Sequence, residues 1–150
     1  MSGKYLSLNV HFTWSTARRE PWIETAIRKD LFSFIGGILN NKNAKLISAG
    51  GMFDHIHLYA SLPSTISIAD FVNVVKSNSS RWVHESFSHL RNFAWQEGYG
   101  AFSVSKSEEN KVIRYVLNQE KHHAKRTFKQ ELLSLLKKHE IKYDEGYIWK

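Results

Sequence analysis

Residues 44–62 read AKLISAGGMFDHIHLYASL, and the fold turns on them. Ala44–Gly50 and Asp54–Leu62 are short runs with strand character, and Gly50-Gly51 between them is the expected turn. Working outward, both sides are helical. Ile23, Ile27, Leu31, Phe34, Ile35, Ile38 and Leu39 recur at helical spacing up to Asn40-Asn41, and Ile68, Phe71, Val72, Val75, Trp82, Val83 and Phe87 do the same downstream. Further out lie two more strands. In Tyr5–Trp14, Leu6, Leu8, Val10, Phe12 and Trp14 alternate with Tyr5, Ser7, Asn9, His11 and Thr13, while Gly98-Tyr99-Gly100 leads into Ala101–Val104. The order β-α-β-β-α-β predicts an α+β, ferredoxin-like split arrangement. Its antiparallel sheet would have first and third strands as neighbours, two helices on one face, and the other face open for function or a partner. A third helix is expected from Ser107 to about His123, and Phe128, Leu132, Leu135 and Leu136 mark a last one. No linker or repeat interrupts residues 1–150, so a single domain is expected.

Composition narrows the partners. Lys plus Arg number 21 against 14 Asp plus Glu, a net charge of +7. That favours a polyanion such as nucleic acid, although charge alone is weak support. The absence of cysteine excludes disulfides and thiolate metal sites. Met1–Val10 lacks a basic stretch followed by an apolar one, and no apolar run approaches the ~20 residues of a membrane span. The expectation is a soluble, cytoplasmic protein without a membrane partner.

Two stretches hold candidate chemistry. In Asp54-His55-Ile56-His57-Leu58, strand alternation points both imidazoles the same way, ~7 Å apart along the strand. They either reach one metal ion or decorate a solvated sheet face; a central strand favours the ligand role. In Val112–Gln119, Tyr115 and Gln119 stand four apart and are neighbours on one helix face, beside a stripe of Val112, Ile113, Val116 and Leu117. Taken alone, that pair is more commonly a boundary tyrosine beside a solvated glutamine.

Together the two stretches resemble the small single-tyrosine transposases of bacterial and archaeal insertion sequences. His55-Ile56-His57 looks like the His-hydrophobe-His motif of HUH nucleases, and the segment with Tyr115 and Gln119 looks like the family's tyrosine helix. Val10–Thr16, Trp95–Ser105 and Asn118–His123 add to the likeness, which covers nearly the whole chain. The resemblance implies that His55, His57 and Gln119 bind Mg²⁺ or Mn²⁺ and that Tyr115 attacks a phosphate of single-stranded DNA. The products would be a 5′-phosphotyrosine and a free 3′-hydroxyl. It further implies hairpin-bearing DNA as partner and a homodimer joined at sheet edges, in which each tyrosine helix could serve the other subunit. Two alternatives stand beside it: a domesticated relative that processes repetitive extragenic palindromes, and a catalytically silent hairpin-binding protein. A water-using hydrolase with a structural Tyr115 is a third.

Softer candidates surround this set. His11 shares the polar face of its strand and would lie near the metal if the first and third strands are neighbours; a satisfied surface histidine fits as well. His122 and His123 follow Gln119 closely; His122 falls on the Tyr115 side of its helix and could contact DNA or metal, although a solvated basic helix end is the commoner reading. Tyr59 shares the histidines' strand face and is the competing nucleophile. Arg18, Arg19, Lys106, Lys121, Lys125 and Arg126 are candidate phosphate contacts.

Overall fold

The computed structural model describes residues 3–150. Met1 and Ser2, at the head of the stretch expected to carry no leader, lie outside the described residues. Strands β1 (Asn9–Ser15), β2 (Lys45–Gly51), β3 (His55–Ser61) and β4 (Gly100–Ser103) are interleaved with α1 (Thr25–Asn40) and α2 (Ile68–Ser86). Three helices follow: α3 (Glu109–Leu117), α4 (Gln119–His123) and α5 (Phe128–Lys138). The sheet order is β2-β3-β1-β4, antiparallel throughout. This is the expected α+β arrangement, with the first and third strands adjacent.

Strand register separates two chemistries. Phe12 pairs with Leu58 and Trp14 with Ile56, so these apolar side chains share one face. There they meet Leu31, Ile35 and Leu39 of α1 and Phe71, Val75 and Val83 of α2 in the main core. The Phe12 and Phe71 rings stack with centroids 4.2 Å apart. Burying a side chain of this size contributes roughly 1.5–3 kcal/mol. On α2, the Ser67 hydroxyl accepts from the Asp70 amide and satisfies an otherwise free helix-start donor. The opposite face carries His11, His55, His57 and Tyr59, since His11 pairs with Tyr59, Thr13 with His57 and Ser15 with His55.

Four expectations change. First, the polar face is not open: α3, α4 and α5 of the same chain cover it. Phe128, Leu132 and Leu136 recur every four residues along α5 and bury against Phe102, while Val116 of α3 buries with Tyr59 and Val104. A sheet face with its own apolar residues and a second amphipathic layer close on each other. Second, β1 begins at Asn9 rather than Tyr5, and Tyr5, Leu6 and Leu8 are exposed. The alternation continues upstream, but the ladders with β3 and β4 stop at Asn9 and Val10.

Third, Gly50 and Gly51 lie within β2, paired with His57 and Ile56, and the chain turns after them. Gly50 marks a close approach instead: a Cβ there would overlap the carbonyl oxygen of Val116 on α3. Fourth, the third helix is broken. A 3₁₀ turn at Lys106–Glu108 precedes α3, and Asn118, with φ −98° and ψ 35°, leaves the helical region before α4. Among the described residues no helix is long and apolar enough to cross a membrane.

Candidate active site

β3 supplies the first two imidazoles. His55 and His57 are fully buried, each with a fixed partner behind it. Asp54 Oδ1 lies 2.7 Å from His55 Nδ1, so the carboxylate holds the hydrogen there and turns the Nε2 lone pair inward. His57 Nδ1 sits 2.8 Å from His11 Nε2. The sequence thus places His11 correctly beside the pair, and β1–β3 adjacency is the reason.

The break at Asn118 sets the next two groups. Gln119 and His123 stand four apart on α4, and both face the sheet. Gln119 donates from Nε2 to the Tyr115 carbonyl at 3.1 Å, which aims its Oε1 at the histidines. That oxygen is 3.2 Å from His55 Nε2 and 3.1 Å from His123 Nε2. Gln119 is therefore brought to His55. His123 is an addition. Its signal was present, because it continues the Tyr115-Gln119 spacing by one more step of four.

Glu131 of α5 completes the cluster and was not anticipated. It is 1% exposed. His57 donates to its Oε1 at 2.8 Å and His123 at 3.1 Å, and His55 Nε2 is 3.5 Å away. The start of α5 is fixed by a capping box between Thr127 and Gln130. Phe128, Glu131 and Leu132 are then neighbours on the buried face. A carboxylate on an otherwise apolar helix stripe is the sequence signal for Glu131; it becomes meaningful once α5 is known to cover the histidines.

The charges follow from burial. Burial opposes the charge on Glu131, but hydrogen bonds from His123 and His57 outweigh it and hold the carboxyl well below the usual range. Burial, then the neighbouring His57, pushes His11 down to about 3; burial likewise lowers His57 against the pull of Glu131. His123 goes the other way: burial would lower it, but Glu131 raises it overall. The result is an anionic carboxylate between His57, biased to the neutral form, and His123, biased to the charged one.

This donor set fits a divalent cation. Ligand atoms of His55, His57, His123 and Glu131 all lie within 4.8 Å of one another, close to twice a metal–ligand bond of ~2.1 Å. With Nδ1–H of His55 committed to Asp54, its Nε2 lone pair faces two acceptor oxygens, those of Gln119 and Glu131. Acceptors facing acceptors need a proton or a cation between them. Imidazole and carboxylate together suit first-row divalent ions.

Tyr115 adjoins this cluster in its own chain. Its hydroxyl donates to Glu131 Oε2. Its ring stacks on His122 at 4.7 Å and stands edge-on to His57 at 5.7 Å. Burial, then the charge of Glu131, pushes the phenol well above its usual range, while Arg126 pulls it back. Tyr59 is engaged elsewhere. Its hydroxyl donates to Glu109 Oε2 at 2.8 Å, and burial raises it to about 12. Of the cations singled out, Arg126 is the one beside the tyrosine; Lys106 pairs with Glu109 at 2.9 Å, and Arg19 lies over the Trp149 ring at 5.8 Å. Arg18 and Arg19 adopt left-handed backbone, with φ of 53° and 56°.

Comparison with known proteins converges on one group. Residues 4–119 match the family described as Transposase IS200 like. The transposase for insertion sequence element IS200 of Salmonella typhimurium is 30% identical over 95 residues, 57% of this chain. The match spans 61% of that relative's length. The ISDra2 transposase TnpA of Deinococcus radiodurans is 23% identical over 122 residues, covering 78% of this chain and 87% of the relative. A crystal structure assigned as a transposase of Deinococcus radiodurans R1 superposes with TM-score 0.66 at 24% identity, covering 79% of this chain and 95% of that one. A REP-associated tyrosine transposase bound to a REP hairpin gives TM-score 0.56 at 16% identity over 77% of this chain and 68% of that one. At these identities the two structures show the fold.

Proposed function

The chain belongs to the IS200-like transposase family, and on that premise we propose that it cleaves and rejoins single-stranded DNA through Tyr115, with a divalent cation held by His55, His57 and Gln119. The observation that carries this reading is the convergence of a tyrosine hydroxyl with three imidazoles and a buried carboxylate on one covered sheet face. His123 and Glu131 widen the proposed ligand set to five groups.

The residues divide the work. Asp54 and His11 hold the two strand imidazoles in register. A neutral His57 that donates from Nε2 to Glu131 accepts at Nδ1 from His11. A bound divalent cation supplies Lewis-acid stabilisation of the charge that develops on the phosphate. Tyr115 gives up its hydroxyl proton and forms the Tyr115 oxygen–phosphorus bond as the bond from phosphorus to the 3′ oxygen breaks. The departing 3′ oxygen takes a proton and becomes a hydroxyl. Arg126 lies where it can stabilise the phenolate. The phosphotyrosine keeps the phosphodiester's energy, and a second 3′-hydroxyl reverses the step.

The partner in this reading is single-stranded DNA carrying hairpins, and the acting form is a homodimer. Mn²⁺ or Mg²⁺ is the proposed ion; three imidazoles favour Mn²⁺ of the two. The test is incubation of the full chain with labelled hairpin-bearing single strands and Mn²⁺. A denaturation-resistant protein–DNA adduct mapping to Tyr115 is expected. Cleaved strands without an adduct would assign the attack to water, and binding without cleavage in any divalent metal would leave a silent binder.

A further inference from the structure

Gln119 and His123 ride on α4, a helix of five residues that begins only after the break at Asn118. A helix this short does not hold its own shape in water. A cleft of about 380 Å³ lies between α1, the end of β2 and α4, with Arg28, Gly51, Leu117 and Lys121 among its walls. Something beyond α4 must therefore fix where Gln119 points.

Arg28 of α1 reaches across. Its Nη1 donates to Glu120 Oε1 at 3.3 Å, and among the described residues this is the one hydrogen bond that ties α4 to the layer of α1 and α2. The guanidinium is itself held. Its Nη2 donates to the Ile23 carbonyl at 3.2 Å, and its central carbon lies 5.3 Å from the centre of the Phe53 ring. The Ile23 amide in turn donates to the Phe53 carbonyl at 2.9 Å. Arg28 is buried, and its Nε has no partner. Burial works against its charge, and Glu120 supports it. Packing alone would be served as well by an apolar side chain. Joining two segments at once is what a planar guanidinium adds.

The segments it joins are those that present His55 and Gln119. Phe53 directly precedes Asp54, whose carboxylate holds His55, and Glu120 directly follows Gln119. His55 Nε2 and Gln119 Oε1 face each other at 3.2 Å. The Glu120 side chain is 73% exposed, so the ion pair adds little to overall stability and its consequence is local.

We propose that Arg28 is a positioning residue of the metal cradle: by tying Glu120 to the Phe53 segment it sets Gln119 against His55. This rests on Gln119 and His55 being metal ligands, but the tie is a claim about α4 that holds with or without a cation.

The test reads the tie and the cradle separately. The full chain is compared with Arg28→Met, Glu120→Ala and the two together, by hydrogen exchange in EDTA followed by mass spectrometry and by Mn²⁺ titration calorimetry. Each single change should speed exchange in residues 118–124 and leave residues 109–116 as in the parent. Each should also lower Mn²⁺ affinity by about threefold to tenfold, the scale on which coupled neighbours act. The double variant should be no worse than either single one, because both remove the same tie. Unchanged exchange in residues 118–124, native Mn²⁺ affinity in both single variants, or losses that add in the double variant, would overturn the proposal. Should Arg28→Met fail to fold by circular dichroism, Glu120→Ala decides alone, because that side chain is exposed. Faster exchange as expected, in a parent that binds no Mn²⁺, would sink the metal reading and leave Arg28 as the group that places Gln119.

Discussion

Tyr115 and Glu131 are joined by a hydrogen bond from the phenol to Oε2, while Oε1 of the same carboxylate accepts from His57 and His123. One side chain on α5 thus touches both the proposed nucleophile and the proposed metal cradle. All four of these side chains belong to one chain. It gives α5, which lies beyond the stretch matched to the family, a direct part in the site.

Glu131→Gln keeps the volume and one acceptor for Tyr115 but removes the only buried anion of the cluster. Its affinity for Mn²⁺ by titration calorimetry should fall by about tenfold or more, the scale on which metal-site partners act. His123→Ala should show a loss of the same order. Unchanged Mn²⁺ affinity in both variants would restrict the ligand set to His55, His57 and Gln119.

Asp54 acts behind His55. Asp54→Asn retains a side chain of the same shape but replaces the carboxylate that orients the ring. The expected outcome is a drop of about 10–100-fold in Mn²⁺ affinity with the fold intact by circular dichroism. His55→Ala and His57→Ala should abolish cleavage outright while leaving hairpin binding. A His55→Ala or His57→Ala protein that cleaves at the native rate would remove the metal site from its proposed place.

Tyr115 and Tyr59 give opposite expectations. Tyr115→Phe preserves the ring stacked on His122 but loses the hydroxyl, so it should bind DNA and form no adduct. Tyr59→Phe loses a hydroxyl already committed to Glu109, and its adduct yield should match the wild type. An adduct that disappears with Tyr59→Phe and persists with Tyr115→Phe would reverse the assignment.

Gly50→Ala probes how α3 is placed. The added methyl would overlap the Val116 carbonyl, and the obstructing atom is backbone, so the helix itself must shift. Overpacking of this kind destabilises by typically ~1–3 kcal/mol, which chemical denaturation can resolve. Adduct formation should fall further than stability, because Tyr115 and Gln119 ride on the displaced segment. A Gly50→Ala protein of native stability and native adduct yield would show that α3 does not depend on this contact.

Binding should also depend steeply on salt. With a net charge of +7, phosphate contacts release counterions, at a slope of about 0.7 per contact for single strands on a log–log plot. Arg126→Gln should lower that slope by about one contact's worth. A slope near zero in the wild type would exclude backbone phosphates as the main attachment.

The repeating patterns were legible in the residues themselves. Period-two alternation placed His55 and His57 on one strand face, and period-3.6 spacing set α1 and α2 against the other, because each pattern depends only on local backbone geometry. Tyr115 and Gln119 read as neighbours on one helix, which the break at Asn118 divides between α3 and α4, and His123 extends the series on α4. Tertiary structure alone decided the rest. Gly50-Gly51 reads as a turn in the sequence and turned out to be the place where Val116 crosses the sheet. The helix break at Asn118 follows no Gly or Pro, yet it aims Gln119 and His123 at the sheet. Glu131 lies 74 residues from His57 along the chain, and no local pattern links them. Their contact exists because the apolar stripe of α5 closes over the sheet's second face, and a carboxylate on that stripe is stable there only where imidazoles and a phenol supply its hydrogen bonds.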